Sequence, residues 1–164
     1  MTTVTLRDIV TEADRAAVLG LQRKPGQERY LGTMESHFED AIEDARACPR
    51  SWSVHDGDEV VGFVMISDNI PQDVLDAEPD HIVGPYFLWR LLIDAQHQGR
   101  GYGRATIDAV VDYVRTRPGA DAFYTSCEAG DGSPQPFYLH YGFVKTGRVA
   151  DGEDVLRLDL QPAE

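Results

Sequence analysis

Apolar residues recur with two different periods along the chain, and the changes of period predict alternating strands and helices. Near the start, Val4 and Leu6 alternate with polar residues, which is typical of a strand with one buried face. Farther along, Met34, Phe38 and Ile42 share one face of a helix instead. The strands predicted in this way cover residues 4–10, 52–55, 60–66, 86–94, 122–127, 143–146 and 154–158.

Capping and turn residues set the ends of the predicted helices. Thr11 is followed by Asp14 at the third helical position, an arrangement in which the two residues cap each other's backbone. Residues 24–26 contain proline and glycine and are predicted to end this first helix. The polar stretch over residues 67–84 is a long connection with room for one short helix. Further helices are predicted for residues 34–45, 103–115 and 133–140.

The strand predicted for residues 86–94 is apolar almost throughout, which is typical of a strand buried on both faces. It leads directly into a glycine-rich loop and a helix. Glycine lets backbone N–H groups approach an anion closely, and a helix N-terminus adds unsatisfied donors and a favourable dipole. The sequence therefore predicts an anion-binding loop made of Gln98, Gly99, Arg100, Gly101, Tyr102, Gly103 and Arg104.

Two other phosphate-binding loops fit this sequence less well. A dinucleotide-binding loop normally comes early in a βαβ unit, with an acidic residue on the following strand about 20 residues later. Here the loop follows four predicted strands, and Asp121 precedes the next strand instead of ending it. A Walker loop needs Gly-Lys-Ser or Gly-Lys-Thr, which does not occur in the sequence.

Charge narrows the classes of partner. The chain has 164 residues and a net charge of −13, from 15 basic and 28 acidic residues. This length predicts one domain over residues 1–164. The acidity argues against nucleic acid, whose phosphates attract a basic surface. It would attract cationic small molecules, but an acidic surface also serves solubility alone, and composition does not decide between the two.

The sequence carries no feature of export, membrane insertion or metal binding. Its first residues lack the basic and apolar regions of a signal peptide, and no apolar run approaches the roughly 20 residues that span a bilayer. Cys48 and Cys127 lie far apart without metal-ligand spacing, so two free thiols and no metal site are expected. These features predict a cytoplasmic protein without a membrane partner.

Two motifs resemble signatures of a known family. Gln98, Gly101 and Gly103 match the acetyl-CoA motif of the GNAT superfamily of N-acetyltransferases, and residues 137–143 resemble its Phe-Tyr-x-x-x-Gly-Phe element. Two signatures in this order, separated by one helix and one strand, are more specific than either alone. Residues 88–103 look most similar to bacterial polyamine N-acetyltransferases, which act on spermine, spermidine or diamines.

The resemblance implies a fold, a co-substrate and roles for individual residues. The fold is α/β, a mixed, mostly antiparallel central sheet splayed at its centre and flanked by helices, and relatives are often homodimers. The co-substrate is acetyl-CoA, with its pyrophosphate on residues 98–104. Backbone groups of Leu91, Leu92 and Ile93 would pair with the pantetheine arm and the thioester carbonyl. Tyr138 would protonate the leaving thiolate, since a phenol is a weaker acid than a thiol.

The chain departs from the family pattern at two positions. Asp131 replaces an asparagine that contacts the cofactor in many relatives, which leaves this cofactor contact open. Trp89 stands on the central strand where polyamine-type relatives often carry a carboxylate base. Glu128, at the end of the next strand, is the candidate replacement, against a reading as a solvated loop residue. His97 and an ordered water are the alternatives.

The acceptor is less well defined than the co-substrate. Trp89, Tyr30 and Tyr86 are candidates to line an acceptor groove because aromatic faces attract cations, although each would serve equally well in a core. The implied reaction is direct attack on the thioester by a primary amine of a small cationic acceptor, with a polyamine as the first hypothesis. Another amine (an antibiotic, an amino acid or a protein N-terminus) and a non-catalytic acyl-CoA sensor are the alternatives.

Overall fold

A computed structural model describes residues 1–160 of the chain. Its strands are β1 Thr5–Asp8, β2 Pro49–Asp56, β3 Glu59–Asp68, β4 Tyr86–Ile93, β5 Ala122–Cys127, β6 Val144–Ala150 and β7 Glu153–Asp159. Its α-helices are α1 Glu12–Leu19, α2 Met34–Glu43, α3 Gln72–Ala77, α4 Tyr102–Arg115 and α5 Gln135–Tyr141. The seven strands form one sheet in the order β1-β2-β3-β4-β5-β7-β6. All neighbours are antiparallel except β4 and β5, which confirms the mixed, mostly antiparallel sheet.

Local signals account for the first helix. The Asp14 N–H donates to the Thr11 hydroxyl at 3.1 Å, and the Thr11 N–H donates to the Asp14 carboxylate at 3.0 Å. This reciprocal pair is the predicted capping box. The helix ends at Leu19, ahead of the stop predicted at residues 24–26, because Gly20 already caps its last turn.

The sheet is splayed between its two parallel strands. β4 and β5 pair at one position, where Phe87 lies beside Tyr124. One residue on, the Thr125 hydroxyl donates to the Leu88 carbonyl oxygen at 3.1 Å, in place of a backbone bond. The strands then diverge, which confirms the predicted splay and leaves β4 without a neighbour on this side.

A β-bulge in β4 was not apparent from the sequence. Met65 pairs with Arg90 and Ile66 with Leu88, so Trp89 has no partner in β3. One extra residue in a strand moves all later side chains to the opposite face. Tyr86, Leu88, Leu91 and Ile93 accordingly pack with α4, whereas Trp89 and Leu92 pack with α1 and α2.

Tyr86 belongs to the core beneath α4. Its side chain is fully buried, and its hydroxyl donates to the Pro118 carbonyl oxygen at 2.6 Å. The ring therefore lies away from any groove, contrary to the expectation that it contacts the acceptor. Trp52 is buried in the same core and packs edge-on against Tyr113.

A tight hairpin joins the last two strands. Asp151 and Gly152 connect β6 to β7 with φ values of 50° and 79°. Positive φ at both central residues is the property of a type I′ turn, which matches the twist of the flanking strands. Both strands are longer than predicted, and Glu153 becomes the first residue of β7.

Neither cysteine forms a disulfide, as expected. Cys127 is buried in the core, whereas Cys48 is half-buried. Within residues 1–160, no helix has the length and apolar character that crossing a membrane requires.

Candidate active site

A cleft of about 850 Å³ opens between β4 and β5 where the strands diverge. Most of the residues predicted for the site line it. They are Tyr30, Trp89, Leu91, Ile93, Gln98, Gly99, Gly101, Tyr102, Gly103, Arg104, Glu128 and Tyr138. The predicted residues outside the lining are Tyr86, Leu92, Arg100 and Asp131. Both sequence signatures thus meet in one place.

The glycine loop, residues 98–104, forms one end of the cleft and leads from β4 into α4. Gly99 and Gly101 have φ values of 77° and 86°, in the left-handed region that glycine adopts without strain. The Gly101 carbonyl oxygen accepts the first backbone bond of α4, and no side chain caps this helix. The N–H groups of Tyr102, Gly103 and Arg104 therefore have no acceptor in the helix, and such groups bind anions.

Backbone groups of β4 face the cleft at alternate residues. The Asp94 N–H donates toward β3 at 2.9 Å, whereas the Ile93 carbonyl oxygen accepts from the Gln98 side chain at 2.9 Å on the opposite side. Backbone groups alternate in direction along a strand, so Leu91 points as Ile93 does, away from β3. Leu92 points toward β3 instead. Of the three β4 residues predicted to bind the co-substrate, Leu91 and Ile93 therefore turn their backbone groups toward the cleft, and Leu92 does not.

His97 supports the entry to the glycine loop. Its ring nitrogens lie 3.1 Å from the Asp94 carboxylate and 2.9 Å from the Glu59 carboxylate. The Asp94 carboxylate also accepts from the Gln22 N–H at 2.8 Å. The His97 side chain is only 12% exposed. Since both nitrogens contact carboxylates, this ring positions the loop and is a poor candidate for the base.

α5 places Tyr138 in the cleft with most of its ring buried. Burial raises the pKa of Tyr138 above that of an ordinary tyrosine, and the neighbouring Cys127 adds to the increase. The hydroxyl therefore keeps its proton at neutral pH. It is then available to donate that proton to a sulfur atom beside it as negative charge develops there.

Three carboxylates, Glu128, Asp151 and Glu153, form what we name the carboxylate wall, on the β5–β7 side of the cleft. Cys127 and Asp154 are the last paired residues of these two strands. The next residues outward are Glu128 and Glu153. Within residues 1–160, neither glutamate forms an ion pair. Two further acidic residues line the cleft, Asp44 and Glu78.

Arg90 lies on β4 and lines the same cleft, but its guanidinium group already forms contacts with residues of α2. Its Nε donates to His37 Nδ1 at 3.2 Å, and a terminal nitrogen lies 3.2 Å from the Asp40 carboxylate. His37 is fully buried and stacks on Phe63. Burial, with a smaller effect of Arg90, lowers the pKa of His37 to about 4. A neutral His37 accepts from Arg90 and helps to turn the guanidinium toward α2.

Two contacts cross the cleft between distant segments. The Tyr30 hydroxyl donates to the Asp131 carbonyl oxygen at 2.8 Å, which joins the α1–α2 loop to the β5–α5 loop. His81 Nδ1 lies 2.6 Å from the Asp151 carboxylate, which joins the α3–β4 loop to the β6–β7 turn. Tyr30 and Asp131 therefore meet each other, although the sequence placed one with the acceptor and the other with the cofactor.

Residues 15–143 match the family model described as Acetyltransferase (GNAT) family. The chain belongs to the GNAT acetyltransferase family. A spermine/spermidine N(1)-acetyltransferase of Bacillus subtilis (strain 168) is 27% identical over 155 residues, which cover 92% of this chain and 95% of that protein.

Solved structures share the fold of this GNAT acetyltransferase. An aminoglycoside 6'-N-acetyltransferase complexed with coenzyme A has a TM-score of 0.66 at 14% identity, covering 99% of each chain. A KacTA–DNA complex has a TM-score of 0.62 at 18% identity, covering 96% of this chain and 94% of that chain. The α/β fold expected from the sequence is confirmed. Because one such structure contains DNA, the exclusion of nucleic acid stays a prediction from charge alone.

The GNAT chain is an N-acetyltransferase, and acetyl-CoA is its co-substrate. Its glycine loop suits this co-substrate, because the first N–H groups of α4 line the cleft without helical acceptors. Within residues 1–160, no group of three or more His, Cys, Asp or Glu side chains is placed to hold a metal ion.

Several cleft residues were not among the predicted site residues. Glu153, Arg90 and Cys127 line the cleft, and their positions depend on the β7 register, the β4 bulge and the splay. A signal for Glu153 did exist, because Asp-Gly between two apolar runs is a strong hairpin signal and places the next residue at a strand start. No comparable local signal marks the bulge.

Proposed function

We propose that this acetyltransferase moves the acetyl group of acetyl-CoA to a primary amine of a polyamine, by direct attack within a ternary complex. The observation that carries the proposal is the carboxylate wall beside Tyr138. Its glutamates have no cationic partner in residues 1–160, and Arg90 is turned toward α2. A polyamine brings several ammonium groups to such a surface, whereas a neutral amine brings none.

In this proposal the glycine loop binds the pyrophosphate of acetyl-CoA. Tyr102, Gly103 and Arg104 line the cleft at the uncapped start of α4, and Arg104 adds a positive charge. The backbone of Leu91 and Ile93 pairs with the pantetheine arm. An N–H group of this strand would also stabilise the oxyanion that forms when the thioester carbonyl is attacked.

Tyr138 is the proposed general acid. The neutral amine nitrogen attacks the thioester carbonyl carbon and loses one proton, the carbon–sulfur bond breaks, and the Tyr138 hydroxyl gives its proton to the departing thiolate. Its raised pKa keeps the proton available until the thiolate forms. Holding both substrates in one cleft supplies much of the remaining acceleration through proximity.

Cys127 lines the same cleft and poses the question of an acetyl-cysteine intermediate. Burial raises the pKa of the Cys127 thiol, so at neutral pH it stays protonated and is a poor nucleophile. This property supports direct transfer. Incubating the enzyme with acetyl-CoA alone should leave its intact mass unchanged, and a stable gain of one acetyl group on Cys127 would contradict direct transfer.

The relative named as a spermine/spermidine N(1)-acetyltransferase supports a polyamine acceptor, since the similarity covers nearly the whole length of both chains. At 27% identity the acceptor site itself has room to differ. The acetylation of an aminoglycoside or of another cationic amine would use the same carboxylates and remains the second candidate.

The proposal is tested by a panel of acceptors in which released CoA is measured. Spermine and spermidine are compared with an aminoglycoside, free amino acids and a peptide with a free N-terminus. We expect the highest kcat/KM with the polyamines. A preference for an amino acid or a peptide would contradict the polyamine proposal, and tight acetyl-CoA binding without turnover of any amine would favour the sensor.

A further inference from the structure

Glu153 and Glu128 both line the cleft, but they differ in position and in burial. Glu153 is the first residue of β7 and is half-buried, whereas Glu128 lies exposed at the end of β5. The Ser126 hydroxyl donates to the Glu153 carboxylate at 3.3 Å. This contact fixes the carboxylate against β5, on the wall opposite the backbone of β4.

Glu153 also faces the same part of the cleft as the proposed acid. Its charge raises the pKa of Tyr138, and the charge of Arg90 acts on both groups. Electrostatic influence of this kind needs proximity. Glu153, Tyr138 and the β4 residues Leu91 and Ile93 all line the same cleft, in which a thioester and an amine would meet.

We infer that Glu153, and not Glu128, accepts the proton that the attacking amine loses. As the nitrogen–carbon bond forms, the nitrogen becomes positively charged and strongly acidic, and its proton passes to a Glu153 carboxylate oxygen. The carbon–sulfur bond then breaks and the thiolate takes the Tyr138 proton. Water carries the proton from Glu153 to the Tyr138 phenolate, so both groups return to their starting states.

The environment of Glu153 suits a base. Desolvation raises its pKa, and the charges of Glu128 and Asp151 act in the same direction, whereas the Ser126 hydrogen bond and Arg90 lower it. A carboxylate is a better proton acceptor when its pKa is closer to the working pH. Cys127 and Tyr138 are the neighbouring titratable groups that line the cleft, and the charges of Asp154 and Lys145 also act on Cys127.

The inference concerns proton transfer and holds for whichever amine is the acceptor. It is tested with Glu153→Gln, using the panel amine that the wild-type enzyme turns over fastest. We expect kcat to fall by about 100-fold, with the loss of the acidic limb of the pH profile of kcat. Acetyl-CoA affinity measured by calorimetry should stay near that of the wild type. Glu39→Gln on the exposed face of α2 removes the same charge outside the cleft and is the control.

Ser126→Ala gives a second test that keeps the carboxylate. Removing the hydroxyl donor destabilises the charged form of Glu153, so the acidic limb should move to higher pH. The inference is overturned if Glu153→Gln lowers kcat less than about tenfold, or if its acidic limb survives, or if the limb stays in place in Ser126→Ala. Wild-type inactivity toward polyamines would instead overturn the proposed acceptor and leave this inference intact for another amine.

Discussion

The glycine loop and the carboxylate wall lie in one cleft but are built in different ways. The loop is made of backbone: positive φ at Gly99 and Gly101, and helix N–H groups without acceptors. The wall is made of side chains from the end of β5, the β6–β7 turn and the start of β7. A backbone site depends on neighbouring residues and leaves a local motif. A side-chain site depends on strand register, which brings together residues that are distant in sequence and leaves no local motif.

The two regions also suit different ligands. Backbone N–H groups suit a fixed anion such as a pyrophosphate, which every reaction cycle brings to the same place. Carboxylate side chains suit a cationic substrate. Changes in the loop should therefore act on acetyl-CoA, and changes in the wall should act on the acceptor.

The largest expected effect is at Tyr138, which lies between the two regions. Tyr138→Phe keeps the ring and its packing but removes the proton, so kcat should fall by about 100- to 1000-fold. The KM values for both substrates should change little, because neither binding region is altered. Turnover within about threefold of wild type across the pH range would contradict the role of general acid.

The pH dependence of folding tests how Arg90 is held away from the wall. Burial lowers the pKa of His37 in the folded state to about 4, from 6.5 in the unfolded state. Below about pH 6.5 the unfolded chain binds a proton at His37 that the folded chain does not bind. The free energy of unfolding therefore decreases as the pH falls from about 6.5 toward the folded-state pKa of about 4. Between about pH 7 and 5 the loss should be about 2 kcal/mol.

Urea unfolding of His37→Gln measures this loss. The variant should lose about 2 kcal/mol less than the wild type over the same pH interval, since glutamine does not titrate. His140→Gln removes an exposed histidine and should keep the wild-type dependence. Equal pH dependence in His37→Gln and wild type would show that His37 is not a buried neutral acceptor.

Gly101→Ala tests the loop. A Cβ at a φ of 86° strains the backbone by about 1 kcal/mol, and this Cβ would lie 3.2 Å from the Thr2 hydroxyl. The displaced loop should raise the KM for acetyl-CoA by about tenfold and leave the acceptor KM unchanged. Gly119→Ala carries similar strain at a φ of 62° outside the cleft and should affect stability alone. An equal increase in the acetyl-CoA KM of Gly101→Ala and Gly119→Ala would refute a local role of the loop.

The smallest expected effect is at Glu128, an exposed member of the wall. Glu128→Gln removes one charge near the acceptor, so the KM for spermidine should rise by about three- to fivefold and should be less sensitive to salt. The acetyl-CoA KM should stay unchanged, as should both constants in Glu39→Gln. A large fall in kcat would restore Glu128 as the base.

Local sequence therefore predicted the loop well and the wall poorly. The capping box of α1, the glycine loop and the Phe-Tyr signature depend on residues close in sequence, and the fold confirms their positions. Trp89 illustrates what was missed. Its bulge arises from pairing between β3 and β4, and it moves Leu92 to the opposite face. Tyr86 was misplaced for a related reason, since an aromatic strand residue gives no sign of which face is core.

The relative kcat/KM of spermidine and of a monoamine such as butylamine tests the central claim most directly. Both carry a reactive primary amine, but only spermidine carries further charges for the carboxylate wall. We predict that spermidine is preferred by about 100-fold at low salt and that the preference shrinks as salt is added. Equal values, or a preference that salt does not change, would contradict a wall that selects cations.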